Sequence, residues 1–174
     1  GSDVGQFRFP QGVAVDSSGD VYVVESGNNR VQVFTGGGEF LREWGALGGD
    51  DGEFRRPTDI VVSAQGRMYV ADSQNCRVQI FGSSGEFVAA WSSFGSGDGQ
   101  INNPGDIAVD ASGNFYVVDA GNHRVQKFNT FGEFAGKWGT LGSGDGQFDN
   151  PPGIALDASG NVYVADSGND RVQI

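Results

Sequence analysis

The sequence predicts an all-β protein, a β-propeller of four-stranded antiparallel blades, from three observations. The chain of 174 residues repeats at a step of 47, as the spacing of its recurring prolines shows: Pro10, Pro57, Pro104 and Pro151. Each repeat carries four short β-branched or aromatic runs between glycine-rich turns, and no segment has the 3.6-residue period of a helix. Four strands in a repeat of this length are typical of a propeller blade. At this step the chain holds about 3.7 blades.

Within a repeat the strands are named A to D in chain order, and the first repeat shows each of them. Turn-forming residues such as Gly19, which is free to take a left-handed conformation, separate the strands. The B run is continuously apolar, which indicates a strand covered on both faces. A longer Gly- and Asp-rich loop, the D–A loop, leads to the next proline. The predicted strands A to D of this repeat lie at 13–15, 21–24, 30–34 and 39–44.

The repeats predict one propeller domain over residues 1–174, and the fourth repeat is short. It has 33 residues where the others have 47, so it would lack its outer strand and the Trp found at Trp44, Trp91 and Trp138. Either the chain is a piece of a longer propeller, or two copies close an eight-bladed ring. The piece is favoured, because an unpaired strand edge is a liability that proteins usually cover. The expected repeats are 1–47, 48–94, 95–141 and 142–174.

Charge and composition restrict the classes of partner. The net charge is −11, from 22 acidic and 11 basic side chains, and the basic residues that do not repeat are scattered. Nucleic acids are therefore not expected as partners, since binding them depends on clustered Lys and Arg. No apolar run reaches the ~18 residues that a membrane span needs, and the amino terminus lacks the features of a signal peptide. The single Cys76 excludes an intrachain disulfide and leaves the compartment open.

A motif in every repeat resembles a known family. Tyr-Val-x-Asp-Ser-Gly followed by Asn-x-Arg-Val-Gln-x-Phe stands, with small variations, at 22–34, 69–81 and 116–128, and at 163–174 without its final Phe. The lead-in Gly-Asp-Gly-Gln-Phe-x-x-Pro is clearest at 144–151. Both are similar to the NHL-repeat family. The resemblance implies a propeller, most often six-bladed, used as a binding platform. Its relatives include RNA-binding and protein-binding modules, sensor domains of membrane kinases and a peptide-amidating lyase.

An acid followed five residues later by an arginine occurs in all four repeats. Because the pair recurs regardless of any single site, it is interpreted as a structural charge pair at the blade junction, with the acid capping the B–C turn. A ring of charges for a ligand is the alternative. The pairs are Glu25 and Arg30, Asp72 and Arg77, Asp119 and Arg124, and Asp166 and Arg171.

Two positions vary while the surrounding motif stays constant, and both belong to turns expected on one face, the B–C/D–A face. Variation on a constant scaffold is typical of binding surfaces, although neutral variation of exposed turns is equally compatible. The first position lies in the B–C turn and the second enters strand A near the axis. The candidate binding residues are Asn29, Cys76, His123 and Asp170 at the first, and Gln11, Thr58, Asp59 and Asp106 at the second.

No catalytic residues, metal or cofactor are expected. His123 is the only histidine, whereas catalytic zinc generally needs three protein ligands, and Asp59 and Asp106 are the only acids in the axial position. The sequence thus predicts a non-catalytic scaffold that binds a protein or peptide, or packs in a larger assembly as a homodimer or with further blades. An RNA-binding NHL domain is the alternative by resemblance, and a metal-dependent enzyme similar to lyases or lactonases is the second.

Overall fold

The computed structural model describes residues 1–91 and 93–174, which form four antiparallel sheets arranged as a β-propeller. This confirms the predicted all-β fold class. Blade 1 comprises β1 Pro10–Val15, β2 Val21–Glu25, β3 Arg30–Phe34 and β4 Phe40–Trp44. Blade 2 comprises β5 Pro57–Val62, β6 Met68–Asp72, β7 Arg77–Phe81 and β8 Phe87–Trp91. Blade 3 comprises β9 Pro104–Val109, β10 Phe115–Asp119, β11 Arg124–Phe128 and β12 Phe134–Trp138. Blade 4 comprises β13 Gly153–Leu156, β14 Val162–Asp166 and β15 Arg171–Gln173.

In each blade the strands pair in sequence order, from the inner strand A outward. Strand A begins earlier than predicted in blade 1, because Pro10 pairs with Glu25 and the register then shifts before Val13. In blade 4 the strand begins only at Gly153. Two consecutive prolines, Pro151 and Pro152, precede it and cannot donate to the ladder, so pairing starts after them.

Tight turns connect the strands. Gly19 ends the first A–B turn with φ +89°, the left-handed conformation that its position requires. Three of the B–C turns are single turns of 3₁₀-helix, at Ser73–Asn75, Ala120–Asn122 and Ser167–Asn169. The described residues contain no helix long and apolar enough to cross a membrane.

The hydrophobic core lies between the blades. One face of blade 1 presents Tyr22, Val24 and Val31, which pack against the Phe54 and Phe81 side of blade 2, and related clusters follow at the next two junctions. Each internal blade is thus buried on both sides.

Strands β6 and β10 are accordingly buried throughout, as predicted for strand B. The same prediction is wrong for β2, in which Val21 and Val23 are only partly buried. These two residues face a side of blade 1 that no other blade covers among residues 1–91 and 93–174.

Aromatic rings cross the junctions. The Trp44 ring lies 5.6 Å from that of Phe81, and the Trp91 ring 6.1 Å from that of Phe115, in each case joining an outer strand to the next blade. Phe54, Ile101 and Phe148 at the lead-in position are buried, whereas Phe7 at the same position in blade 1 is exposed.

Candidate functional site

Every strand B ends in a carboxylate that is completely buried. In blade 3 the Asp119 carboxylate accepts hydrogen bonds from four groups. The donors are the backbone N–H of Asn102 at 2.8 Å, the amide of Asn122 at 2.9 Å, Nε of Arg124 at 2.7 Å and the amide of Gln126 at 3.0 Å. The other three carboxylates, Glu25, Asp72 and Asp166, accept the same four kinds of hydrogen bond.

The arginine of each network also holds the preceding D–A loop. The guanidinium of Arg124 donates to the carbonyl oxygens of Ser96, Gly97 and Gln100, each at 2.8 Å. Arg77 donates in a similar way to the carbonyl oxygens of Asp50 and Glu53 in the D–A loop before blade 2. Both members of each charge pair are therefore occupied inside their own repeat, which supports a structural role for them.

One detail of the predicted role is wrong. The acid does not cap the backbone of the B–C turn in the three turns that are 3₁₀-helical. It holds the turn through an asparagine side chain instead, because the carboxylate already accepts from the lead-in loop, the arginine and the glutamine. Sequence reasoning missed these polar partners, although all recur at the 47-residue step: Asn28, Asn75, Asn122 and Asn169, with Gln32, Gln79, Gln126 and Gln173.

The network keeps the carboxylates of Glu25 and Asp166 ionised. Burial of Glu25 favours the neutral acid, but hydrogen bonds from Arg30 and Gln32 outweigh burial and hold the pKa of Glu25 below its ordinary value. At Asp166 burial acts in the same direction, and its hydrogen bonds lower the pKa to about 2. Glu25 and Asp166 are therefore fixed anions, and each already accepts hydrogen bonds from four donors.

The four B–C candidates share a left-handed backbone conformation, and two of them contact the next blade. Asn29, Cys76, His123 and Asp170 have φ values of 52 to 55°. The side-chain oxygen of Asn29 accepts the backbone N–H of Arg56 at 2.8 Å, and Nδ1 of His123 accepts the N–H of Asn150 at 3.1 Å. At least two of these positions therefore join neighbouring blades.

In every repeat the residue before the proline that recurs at the 47-residue step is also left-handed, with φ between 48 and 52°. This conformation is costly for most residues and is disfavoured before proline. Strain of this kind clusters at ligand sites, which makes these residues candidates that sequence reasoning missed. Only the asparagines carried a signal, since asparagine tolerates this conformation better than other non-glycine residues. The set is Phe9, Arg56, Asn103 and Asn150.

Asp59 and Asp106 connect the inner strands of successive blades. Oδ2 of Asp59 accepts the backbone N–H of Ile107 at 3.0 Å, and Oδ2 of Asp106 accepts that of Ile154 at 2.8 Å. Oδ1 of Asp106 also lies 3.0 Å from the Ile107 nitrogen, which brings the two carboxyl groups together. Burial and the neighbouring Asp106 raise the pKa of Asp59 to about 8. Within the described part of the chain, no group of three or more His, Cys, Asp or Glu side chains could hold a metal.

Three adjoining cavities open on the B–C/D–A face, with volumes of 340, 360 and 360 Å³. Thr58 lines all three, and Gln11, Arg56 and Asn103 each line two. The third cavity also reaches the Asp59 and Asp106 pair. The candidates near strand A are thus brought together around one depression, whereas Asn29, Cys76, His123 and Asp170 line none of these three cavities.

The fold resembles those of several solved structures. A streptogramin B lyase structure aligns with a TM-score of 0.76 and 15% identity, over 95% of this chain and 51% of that one. Virginiamycin B lyase from Staphylococcus aureus aligns with a TM-score of 0.75 and 14% identity, over 96% and 52%. A chain from a nidogen/laminin complex gives 0.73 and 20%, over 95% and 59%. The chain spans about half the length of these proteins, and at such identities the likeness concerns the fold alone.

Sequence comparison gives a more specific result. No curated protein matches the chain. A family model described as the NHL repeat matches residues 7–34, 54–81, 102–128 and 148–174, which is more than half of the sequence. The matched segments contain the motif and the buried polar network of every blade. The chain belongs to the NHL-repeat family.

Proposed function

We propose that this chain is a non-catalytic propeller module that binds a protein or peptide partner at its B–C/D–A face. The observation that carries the proposal is the set of three adjoining cavities around Thr58, because they lie where the variable strand A positions meet the strained residues before the prolines. Concave sites with a few convergent polar groups are where ligands bind.

The chemistry of the cavity walls suits a peptide. Gln11, Thr58 and Asn103 offer amide and hydroxyl groups, which can pair with both the N–H and the C=O groups of an extended chain. The Arg56 side chain is exposed and makes no hydrogen bond or ion pair within the described residues, so it is available to a partner. Arginine is enriched among the residues that dominate binding energy. A net charge of −11 would attract a partner with a basic segment at low ionic strength.

The non-catalytic part of the proposal rests on the residues themselves. The repeated carboxylates are saturated by their own networks, and the single histidine accepts a backbone N–H from the next blade. The similarity to the lyases concerns the fold, and function depends on sites rather than on folds.

The test is a selection of random 12-residue peptides on the purified chain, followed by measurement of Kd for individual synthetic peptides. The triple variant Gln11→Ala, Arg56→Ala, Thr58→Ala should weaken binding by about tenfold or more. A matched control exists on the opposite face, where Gln65, Arg67 and Thr130 line a 330 Å³ cavity. Its triple alanine variant should leave Kd within about twofold.

Three other outcomes would contradict the proposal. If the opposite-face variant loses binding and the first variant does not, the binding face is wrong. Retention of single-stranded RNA at low salt, with loss on adding salt, would favour the RNA-binding alternative. A stoichiometric metal in elemental analysis of the purified chain would favour the metal-dependent enzyme.

A further inference from the structure

Blade 1 has an apolar face that no other blade in the described part of the chain covers. We call it the phenylalanine face, formed by Phe7, Val21, Val23 and Phe34. A cavity of 380 Å³ lies on it. Phe7 is 40% exposed, whereas Phe54 at the same position of blade 2 is 0% exposed. Met68, Val70 and Phe81, which correspond to the other three members, are also buried, because blade 1 packs on them.

Blade 4 also has an uncovered apolar face, which corresponds to the side of blade 1 that packs against blade 2. We call it the valine face, formed by Tyr163, Ala165, Val172 and Ile174. Val172 is 64% and Ile174 83% exposed. The corresponding residues of blade 1 are Tyr22, Val24, Val31 and Val33, all of which are buried against blade 2.

These two faces are the halves of an interface that already occurs in the molecule. At the junction of blades 1 and 2, the Tyr22 and Val31 side packs on the Phe54 and Phe81 side, and the junction of blades 2 and 3 repeats this arrangement. The chain therefore carries, uncovered, one copy of the phenylalanine half and one copy of the valine half that lacks the outer-strand Trp. We propose that the phenylalanine face of one chain binds the valine face of a second copy of the same chain.

A polar contact of the internal junctions identifies how the two copies would align. Asn29 accepts the N–H of Arg56 at the junction of blades 1 and 2, and His123 accepts the N–H of Asn150 at the junction of blades 3 and 4. Phe9 has the same left-handed backbone as Arg56, and Asp170 the same as Asn29. No acceptor among the described residues pairs with the Phe9 N–H, and Asp170 is exposed. The Asp170 carboxylate of one copy would accept the Phe9 N–H of the other.

The contact joins two different faces, so its symmetry matters. Two chains related by a twofold axis can each use both faces and make the contact twice, which closes the assembly. Each chain carries a net charge of −11, so the copies repel one another at low salt. The contact should strengthen as salt screens this repulsion, the opposite of the salt dependence expected for a basic peptide.

Light scattering coupled to size exclusion tests the proposal on the 174-residue chain. Val172→Asp places a charge in the valine face at an exposed residue, so the fold of the single chain does not depend on the change. Val88→Asp on β8, also an exposed valine at 49%, is the matched control. We expect the wild type and Val88→Asp to have twice the 18.3 kDa chain mass, and Val172→Asp to have the mass of one chain.

Two results would overturn the proposal. One is a wild-type chain that stays at 18.3 kDa up to about 100 μM in high salt. The other is an assembly that Val172→Asp leaves intact. The alignment has its own test, because Asp170→Ala should weaken association about fivefold to tenfold, and Asp170→Asn, which keeps an acceptor oxygen, should restore most of it. Equal association of these two variants would contradict the proposed contact.

Discussion

At the scale of single residues, each of the four blades buries one carboxylate and surrounds it with the same kinds of hydrogen-bond donor. A buried carboxylate is strongly unfavourable unless it is paired and hydrogen-bonded. Asp119 meets both conditions, since Arg124 supplies the opposite charge and three further groups donate to its oxygens. Through these hydrogen bonds the Asp119 carboxylate holds the D–A loop and the B–C turn in place relative to the sheet.

Removing this charge should be costly. Asp119→Asn places an amide N–H₂ against the donors of the network and leaves Arg124 without its counter-ion. We expect the free energy of unfolding to fall by about 3 to 5 kcal/mol, as when one partner of a buried pair is lost. Urea unfolding measures it. Asp145→Asn, which removes the same charge from an exposed loop residue, should change stability by less than about 0.5 kcal/mol. Equal effects of the two changes would contradict the role given to the network.

Asp59 should make stability depend on pH in the neutral range. Burial and Asp106 raise its pKa to about 8 in the folded protein, and an unfolded aspartate has a pKa of about 3.9. The folded state therefore binds more protons between these values, so stability falls as pH rises from about 4 to about 8.

The side chain of the Asp59→Asn variant stays neutral, so the stability of this variant should not decrease in this way as pH rises. We expect its unfolding temperature to exceed that of the wild type by several degrees at about pH 8.5 and by much less at about pH 5. Thermal unfolding followed by circular dichroism gives both values, with the exposed Asp51→Asn as control. Parallel pH profiles of wild type and Asp59→Asn would exclude the explanation.

At the scale of elements, the B–C turn combines a constant conformation with a variable residue. All four turns end in a left-handed residue, which must also suit the loop of the next blade. Asparagine fits both demands, because it tolerates this conformation and has an oxygen for the next backbone N–H. Cys76 tolerates the left-handed backbone less well than asparagine does, and its side chain has no oxygen that could accept the N–H.

Cys76→Asn should therefore stabilise the protein. The new side-chain oxygen can accept the N–H of Asn103, as Asn29 accepts that of Arg56, which we expect to add roughly 1 kcal/mol to the free energy of unfolding. Cys76→Val is the opposing variant, since a β-branched residue in the left-handed region should cost at least about 1 to 2 kcal/mol. Chemical denaturation ranks the three proteins. A valine variant as stable as the asparagine variant would disprove the argument.

At the scale of the whole molecule, stability should be unequal among blades that share the same sequence motif. Blades 2 and 3 are covered on both sides, whereas blades 1 and 4 each have one open face. Stability of repeat proteins is approximately a sum over repeats and their interfaces.

Hydrogen exchange measures this difference directly. Amides of β6 and β10 should exchange at least about tenfold more slowly than those of β14 in the single chain. In the Val172→Asp variant, which is expected to remain a single chain, this order should hold. Uniform protection across the strands of that variant would show that the open faces do not limit local stability.

The repeat pattern made the fold predictable, because the 47-residue step, the four runs and the turn glycines all agree. It also located the cavities in part, through Thr58 and Gln11. The strained residues before the prolines could not be predicted, since nothing in the residue types of Phe9 or Arg56 indicates a left-handed backbone. The pairing of Asp59 with Asp106 was equally hidden, because it depends on how closely inner strands of different blades approach.

The hydrogen bonds of the polar network never reach farther along the chain than one repeat. Asp119 accepts from Asn102, 17 residues earlier, and the most distant carbonyl to which Arg124 donates is that of Ser96, 28 residues earlier. A copied segment that starts at the D–A loop and ends with strand D thus brings every partner that its buried carboxylate requires. Whole segments of this kind can be added or removed without leaving a buried carboxylate unpaired. A segment that ends between the D–A loop and strand B would separate the carboxylate from the loop that donates to it. Duplication of a segment therefore preserves the buried ion pairs only when the segment begins at a D–A loop and ends after a strand D.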